Sequence, residues 1–217
     1  MDNDQDTFLS IEAESQGLYR EKASKFYAFA IPVTSEAEIK AALERFRKTH
    51  HGANHFCYAY RLGYEKSLYR MNDDGEPSGS AGRPIYGQLL SFDLSDVLIV
   101  VIRYFGGTKL GIPGLINAYK TAAREALEQA QIIEKTIMLP VTIRFNYPAM
   151  NDIMRIIRER GAKITGQGWE NQCTLHLFIR KSQVPVLHEK INLLRDPAID
   201  LQVGDPLSVN EPGKIEA

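Results

Sequence analysis

VLIVVIRYFGGTKLGIPGLINAYK, Val97–Lys120, contains a strand, a glycine-rich loop and the start of a helix in unbroken succession. Val97–Ile102 is a continuous, largely β-branched apolar run, the composition of a central strand covered on both faces. Arg103 ends it, and RYFGGTKLG (Arg103–Gly111) follows as a loop rich in glycine and charge. Beyond the loop, Leu115, Ile116, Tyr119, Ala122, Ala123, Ala126, Leu127 and Ala130 form one helical stripe. Pro113 lies in the first turn, where its missing N–H costs little.

Working toward the N-terminus, a second glycine-rich stretch appears, DDGEPSGSAG at Asp73–Gly82. Before it, Lys25–Val33 reads as a strand. Ser35 with Glu38 forms a capping box ahead of a helix striped by Ile39, Ala42, Leu43 and Phe46, which stops near His50–Gly52. His55–Leu62 alternates strictly and is expected to be a half-buried strand, with Ser67–Met71 as its short partner. A helix is expected over Ile85–Ser91. Toward the C-terminus the pattern gives a strand at Met138–Tyr147, a helix at Ala149–Arg160, and strands at Lys163–Glu170 and Cys173–Arg180 with Glu170-Asn171 as their hairpin. A helix at Val184–Arg195 and a strand at Ile199–Val203 complete it. This βαββαβ order has a ferredoxin-like sandwich as its natural solution. The expected division is therefore a domain over 1–137, a ferredoxin-like domain over 138–204 and a polar tail over 205–217.

Composition narrows the function classes. The 217 residues carry 26 Lys and Arg against 27 Asp and Glu, so no global positive field advertises a nucleic-acid or membrane surface, and anion binding must be local. The two cysteines, Cys57 and Cys173, show no metal-type spacing and are expected to be buried, reduced thiols. No signal pattern and no run of membrane-spanning length is present, which leads to the expectation of a cytoplasmic protein without a membrane partner.

Each glycine-rich stretch has a chemical and a packing reading. Asp73, Asp74 and Glu76 suggest divalent-metal ligands, but Pro77 and Ser78 interrupt the spacing such a loop needs, so neither metal nor cofactor is expected. A tight turn explains the acidic half. Ser78, Gly79, Ser80, Ala81 and Gly82 expose a backbone that a ligand or another segment can approach, with amides and hydroxyls able to form an anion nest. Strand, glycine loop and helix likewise aim free amides at an anion, with Arg103 and Lys109 as cations. The spacing fits neither nucleotide-binding glycine motif. The competing reading folds Phe105 back onto the core through Gly106 and Gly107 and pairs Arg103 with Asp73 or Asp74. No serine lies in a nucleophile frame, His55 beside Cys57 reads as packing, and His50 and His51 are expected to meet carbonyls at the helix end. Trp169 reads as core or sheet-face packing.

ANHFCYAYRLG, DDGEPSGSAGRP and VVIRYFGGTKLGIPGLINAYKTAA, in this order, resemble the signature of the IMPACT/YigZ family, and the C-terminal unit resembles the small domain of its bacterial members. The resemblance implies an α/β (α+β) protein. Its N-terminal domain would have the fold of the second domain of ribosomal protein S-five, and its C-terminal domain would resemble domain V of elongation factor G. Signature positions carried over are His55, Asp73, Asp74, Gly75, Glu76, Pro77, Gly79, Ala81, Gly82, Arg103, Tyr104, Phe105, Gly106, Gly107, Lys109, Leu110, Gly111, Gly114 and Tyr119. Ser80 stands where threonine is usual, Pro113 where glycine is usual and Asn117 where arginine is usual.

The resemblance implies no established reaction. For eukaryotic members it implies translational control through competition for the activator of an initiation-factor kinase, and for bacterial members association with nucleic acid or the ribosome. The chain is expected to lack the extra domain of the eukaryotic proteins. The expected function is thus a non-enzymatic, translation-associated binder of RNA, the ribosome or another phosphate-bearing surface. Its contact residues would be Arg103, Gly106, Gly107, Lys109, Ser78, Gly79, Ser80 and Gly82. The alternatives are an enzyme on a small anionic or peptide substrate using the acidic loop and His55, and a protein-interaction module docking through the C-terminal sheet.

Overall fold

The computed structural model describes residues 6–170 and 172–209. It is a mixed α+β structure with two antiparallel sheets and five α-helices among the described residues. Leu9–Ile133 form one compact unit, and the described residues outside that range form the other.

In the first unit the strands are β2 (Ser15–Glu21), β3 (Ser24–Pro32), β4 (His55–Leu62), β5 (Leu68–Asn72) and β6 (Val97–Tyr104), preceded by β1 (Thr7–Ile11), whose residues are divided between the units. The helices are α1 (Glu36–Thr49), α2 (Gly82–Ser91) and α3 (Gly111–Glu128). The sheet runs β2-β3-β6-β4-β5, which puts the apolar strand in the middle. Phe29, Val100, Ile102, Phe56 and Tyr60 pack with Ile39 and Phe46 of α1 on one face. Phe26, Ala28, Cys57, Ala59, Ile99 and Val101 pack with Ile85 and Leu89 of α2 and with Leu115, Tyr119 and Ala122 of α3 on the other. Every residue of Val97–Ile102 is fully buried. Each large aliphatic side chain taken from water in this way contributes about 1.5–3 kcal/mol.

Ser35 caps α1, its Oγ accepting from the Glu38 amide at 3.3 Å, while the Glu38 carboxylate reaches back to the Thr34 amide rather than to Ser35. The expected half-burial of β4 is corrected: Cys57 and Ala59 are as buried as Phe56 and Tyr60, because helices cover both faces of the strand. Ile116 leaves the predicted α3 stripe and is exposed. Strands β1 and β2 were not legible from the pattern, and α2 begins earlier than predicted, at Gly82.

In the second unit, β7 (Ile132–Phe145, whose first two residues belong to the first unit), α4 (Met150–Glu159), β8 (Lys163–Trp169), β9 (Cys173–Arg180), α5 (Gln183–Asn192) and β10 (Asp200–Val203) follow in the predicted βαββαβ order, with a 3-10 turn at Tyr147–Ala149. β7 starts earlier than its pattern suggested and lies between β9 and β10, with β8 beyond β9. Ile153, Ile156 and Ile157 of α4 and Leu187 and Ile191 of α5 pack on Val141, Ile143, Leu175 and Leu177. The segment read as a polar tail contains β11 (Leu207–Val209), antiparallel to Thr136–Met138. Trp169 is half exposed at the end of β8, and Asn171 of the predicted hairpin lies outside the described residues. No helix among the described residues is long and apolar enough to cross a membrane.

Candidate functional site

The two glycine-rich stretches meet in the first unit, at the end of β6, through buried polar contacts. Asp73 organises the first of them. Its Oδ2 accepts from the Gly79 amide at 2.9 Å, and its Oδ1 accepts from the amides of Ala81 and Gly82 at 3.0 and 2.8 Å. Ala81 and Gly82 open α2, so this carboxylate occupies the place at the helix N-terminus where free amides and the helix dipole favour an anion. Three of the amides considered for an external anion are therefore donated to Asp73. Ser80 is fully buried and its hydroxyl donates to the Pro77 carbonyl at 2.6 Å, leaving Ser78 as the exposed hydroxyl of the stretch.

Asp74 turns the other way. Its Oδ2 accepts from the Phe56 amide at 2.7 Å, its Oδ1 from Arg47 at 3.1 Å, and its carbonyl lies 2.8 Å from His55 Nδ1. Arg103, which the sequence offered as a partner for Asp73 or Asp74, instead donates to Glu76 Oε1 at 2.5 Å. Both side chains are buried, 6% and 4% exposed, so the pair exchanges water for each other rather than standing open to a ligand. Tyr119 of α3 donates to the same Glu76 oxygen at 2.8 Å, and His55 Nε2 stands 3.8 Å from it. Arg103 also lies 5.4 Å from the ring centroids of both Phe26 and Phe105, a cation between two aromatic faces.

Cys57 completes the cluster, with Sγ 3.0 Å from the Asp73 carbonyl and 3.3 Å from the Tyr119 hydroxyl. Burial pushes the Cys57 thiol and the Tyr119 phenol well above their ordinary values, and Glu76 nearby adds to both shifts. Both groups are held protonated at neutral pH and act as hydrogen-bond donors, not nucleophiles. No cluster of metal-ligating side chains forms among the described residues.

The second stretch lies against the hairpin between β2 and β3. The Gly106 amide donates to Ser24 Oγ at 3.1 Å, and a Cβ on Gly106 would stand 2.1 Å from the Ala23 carbonyl carbon, so only glycine allows this approach. Asn54 Oδ1 accepts from the Phe105 amide at 2.9 Å. Phe105 does not fold back into the core; its ring is 45% exposed. Gly107 and Lys109 are exposed, Leu110 and Gly114 are partly covered, and α3 opens at Gly111 with no side-chain cap. Ser24, Asn54 and Cys57 all shape the site, yet no local pattern joins them to the loops they hold.

His50 caps α1 through its own amide, which donates to the Phe46 carbonyl, while its ring nitrogen Nδ1 lies 2.9 Å from the Tyr104 hydroxyl. The ring therefore meets the second stretch rather than the helix-end carbonyls. Desolvation lowers the His50 pKa below its ordinary value, which keeps the ring neutral at pH 7.

Residues 22–127, which contain the whole of this cluster, match the family model for the Impact N-terminal domain. The chain is 30% identical over 198 residues to IMPACT family member YvyE of Bacillus subtilis, covering 91% of each protein. It is 40% identical over 137 residues to an IMPACT family member of Thermus thermophilus, covering 63% of this chain and 73% of that protein. It is 28% identical over 172 residues to IMPACT family member YigZ of Escherichia coli, covering 78% and 84%. A crystal structure of a protein described only as hypothetical superposes with a TM-score of 0.67 at 26% identity, over 91% of this chain and 97% of that one. Likeness across both units, and not only over the glycine-rich loops, establishes that the chain belongs to the IMPACT family.

Proposed function

We propose that this chain is a non-catalytic, translation-associated binding protein whose ligand is RNA, free or within the ribosome. The observation that carries the reading is the internal engagement of the site's chemistry. Asp73 is bound to three amides, Asp74 to Phe56 and Arg47, and Glu76 to Arg103 and Tyr119. An enzyme working through these acids would need at least one of them open to a substrate. The same engagement relocates the binding surface. With the amides of Gly79, Gly82 and Gly106 donated internally, contact falls to exposed side chains around the loops, among them Phe105, Lys109 and Ser78.

Such a surface makes few phosphate contacts, in keeping with a chain of net charge −1. Binding of a fluorescein-labelled single-stranded RNA, followed by anisotropy across a salt series, tests the reading. Three phosphate contacts give a log–log salt slope of about −2 for single strands. Absence of binding at low salt, or affinity independent of salt, contradicts the proposal. Co-purification from cells with and without ribonuclease then separates ribosomal RNA from protein partners.

A further inference from the structure

A row of three residues crosses the first unit's sheet on its α1 face. Arg20 on β2 is directly opposite Lys25 on β3, and Lys25 is directly opposite Tyr104 on β6. Directly paired residues share a face, so the two cations and the ring stand side by side, with Tyr27 two positions along from Lys25 on the same face. Both cations are exposed, and neither has a carboxylate partner among the described residues. Like charges placed directly opposite one another cost stability.

Beside this row lies an open hollow of about 510 Å³ lined by Ala23, Lys25, Tyr27, His50, Tyr104 and Phe105. Tyr27 and Tyr104 meet edge to face at 5.8 Å between centroids, and the His50 ring lies 6.2 Å from Tyr27 and 6.1 Å from Tyr104. Three rings thus hold one another in place, while Phe105 at the rim is exposed and backed by Arg103. The close seating of Gly106 on Ala23 fixes that rim.

We propose that this hollow takes an unpaired base of a single-stranded RNA, stacked on Phe105, with the adjoining phosphate held by Lys25 and Arg20. Aromatic faces receive any base through its π surface, and backbone cations beside them follow the strand. An aromatic hollow also suits a quaternary ammonium group, but Lys25 in the lining repels a cation and attracts an anion. The site is distinct from the buried Arg103–Glu76 cluster, which lies on the opposite face of β6, and it rests on the reading of the chain as an RNA binder.

The test uses the full chain and a labelled single-stranded RNA of mixed sequence. Phe105→Ala weakens binding about tenfold to a hundredfold, the range of one lost base stack. Phe105→Leu, which keeps bulk without a π face, loses a similar amount, and Phe105→Trp retains affinity. Lys25→Ala weakens binding and makes the salt slope shallower by about 0.7. Unchanged circular dichroism and melting temperature in the variants assign these losses to contact rather than folding. If wild type binds RNA and both Phe105→Ala and Lys25→Ala stay within twofold of it, the hollow is not the base site and the RNA reading survives. If wild type binds no RNA, or captures a trimethyl-lysine peptide instead, both proposals fall.

Discussion

Arg103, near the end of β6, and Glu76, in the Asp73–Gly82 loop 27 positions earlier, form an ion pair at 2.5 Å with both side chains almost wholly enclosed. Removing one member strands the other as a buried charge, which costs about 3–5 kcal/mol, whereas replacing both by apolar residues of similar volume is close to neutral. We expect Arg103→Met and Glu76→Met each to lower stability by that amount, and the double variant to recover most of it. Urea unfolding monitored on the four proteins of this cycle is the measurement. Additive losses would show that the pair does not act as a unit.

Asp73 predicts a local effect rather than a global one. Asp73→Ala leaves the amides of Gly79, Ala81 and Gly82 without their acceptor, and hydrogen bonds to charged groups contribute about 1.5–3 kcal/mol each before non-additivity. Hydrogen exchange across residues 79–84 accelerates at least tenfold in this variant, while exchange in β6 changes little. Unaltered exchange at 79–84 would mean that water replaces the carboxylate at no cost.

Two glycines predict opposite signs. Gly106→Ala drives a Cβ to 2.1 Å from Ala23 backbone and destabilises by about 3 kcal/mol, the upper range of overpacking. Gly87 lies inside α2, and a methyl group added there would meet nothing within 4 Å, so Gly87→Ala stabilises by about 0.5–1 kcal/mol. Melting temperatures of the two variants decide it, and a shared sign contradicts the packing argument.

The parts of the fold that the sequence announces are those in which periodicity and burial agree locally. Val97–Ile102 and, Ile116 apart, the α3 stripe as far as Leu127 are enclosed, so composition and position say the same thing. β2 is different. Its Gly17 argues against a strand, yet a Cβ there would stand 2.5 Å from the Ala126 amide, so the glycine serves the approach of α3 and not a turn. The site divides similarly. The two loops were legible as a pair, whereas the identity of the acid on Arg103, Asp73's grip on three amides and the hold of Ser24 on Gly106 depend on chain separations that no spacing encodes. The row of Arg20, Lys25 and Tyr104 is a property of register alone.

His50 gives a pH dependence with a definite sign. Burial lowers its folded pKa beneath the ordinary value of 6.5, so protonation opposes folding. The stability that the neutral ring contributes is complete above about pH 6.5, the unfolded value, and is lost as pH falls through the lower folded value. Asp93, lowered chiefly by its hydrogen bond from Lys66, acts in the same direction but below about pH 4. Melting temperatures from pH 7.5 to 4.5 should therefore fall less steeply in His50→Gln than in wild type. A parallel decline in the two proteins would remove His50 as the titrating group.

Cys57 supplies a chemical readout of the same enclosure. Its thiol is buried, engaged with the Asp73 carbonyl and the Tyr119 hydroxyl, and pushed upward by burial, so the thiolate needed for attack is scarce. In native protein at pH 8, Cys57 reacts with an aromatic disulfide reagent at least a hundredfold more slowly than it does in urea, which is the scale expected when reaction waits on opening. Phe105→Ala leaves this protection intact, because Phe105 is exposed and meets the cluster only through the outer side of Arg103, whereas Glu76→Met accelerates labelling by releasing Tyr119 and Arg103. Mass spectrometry of the labelled peptides separates Cys57 from Cys173, and rapid native labelling of Cys57 would contradict a closed cluster.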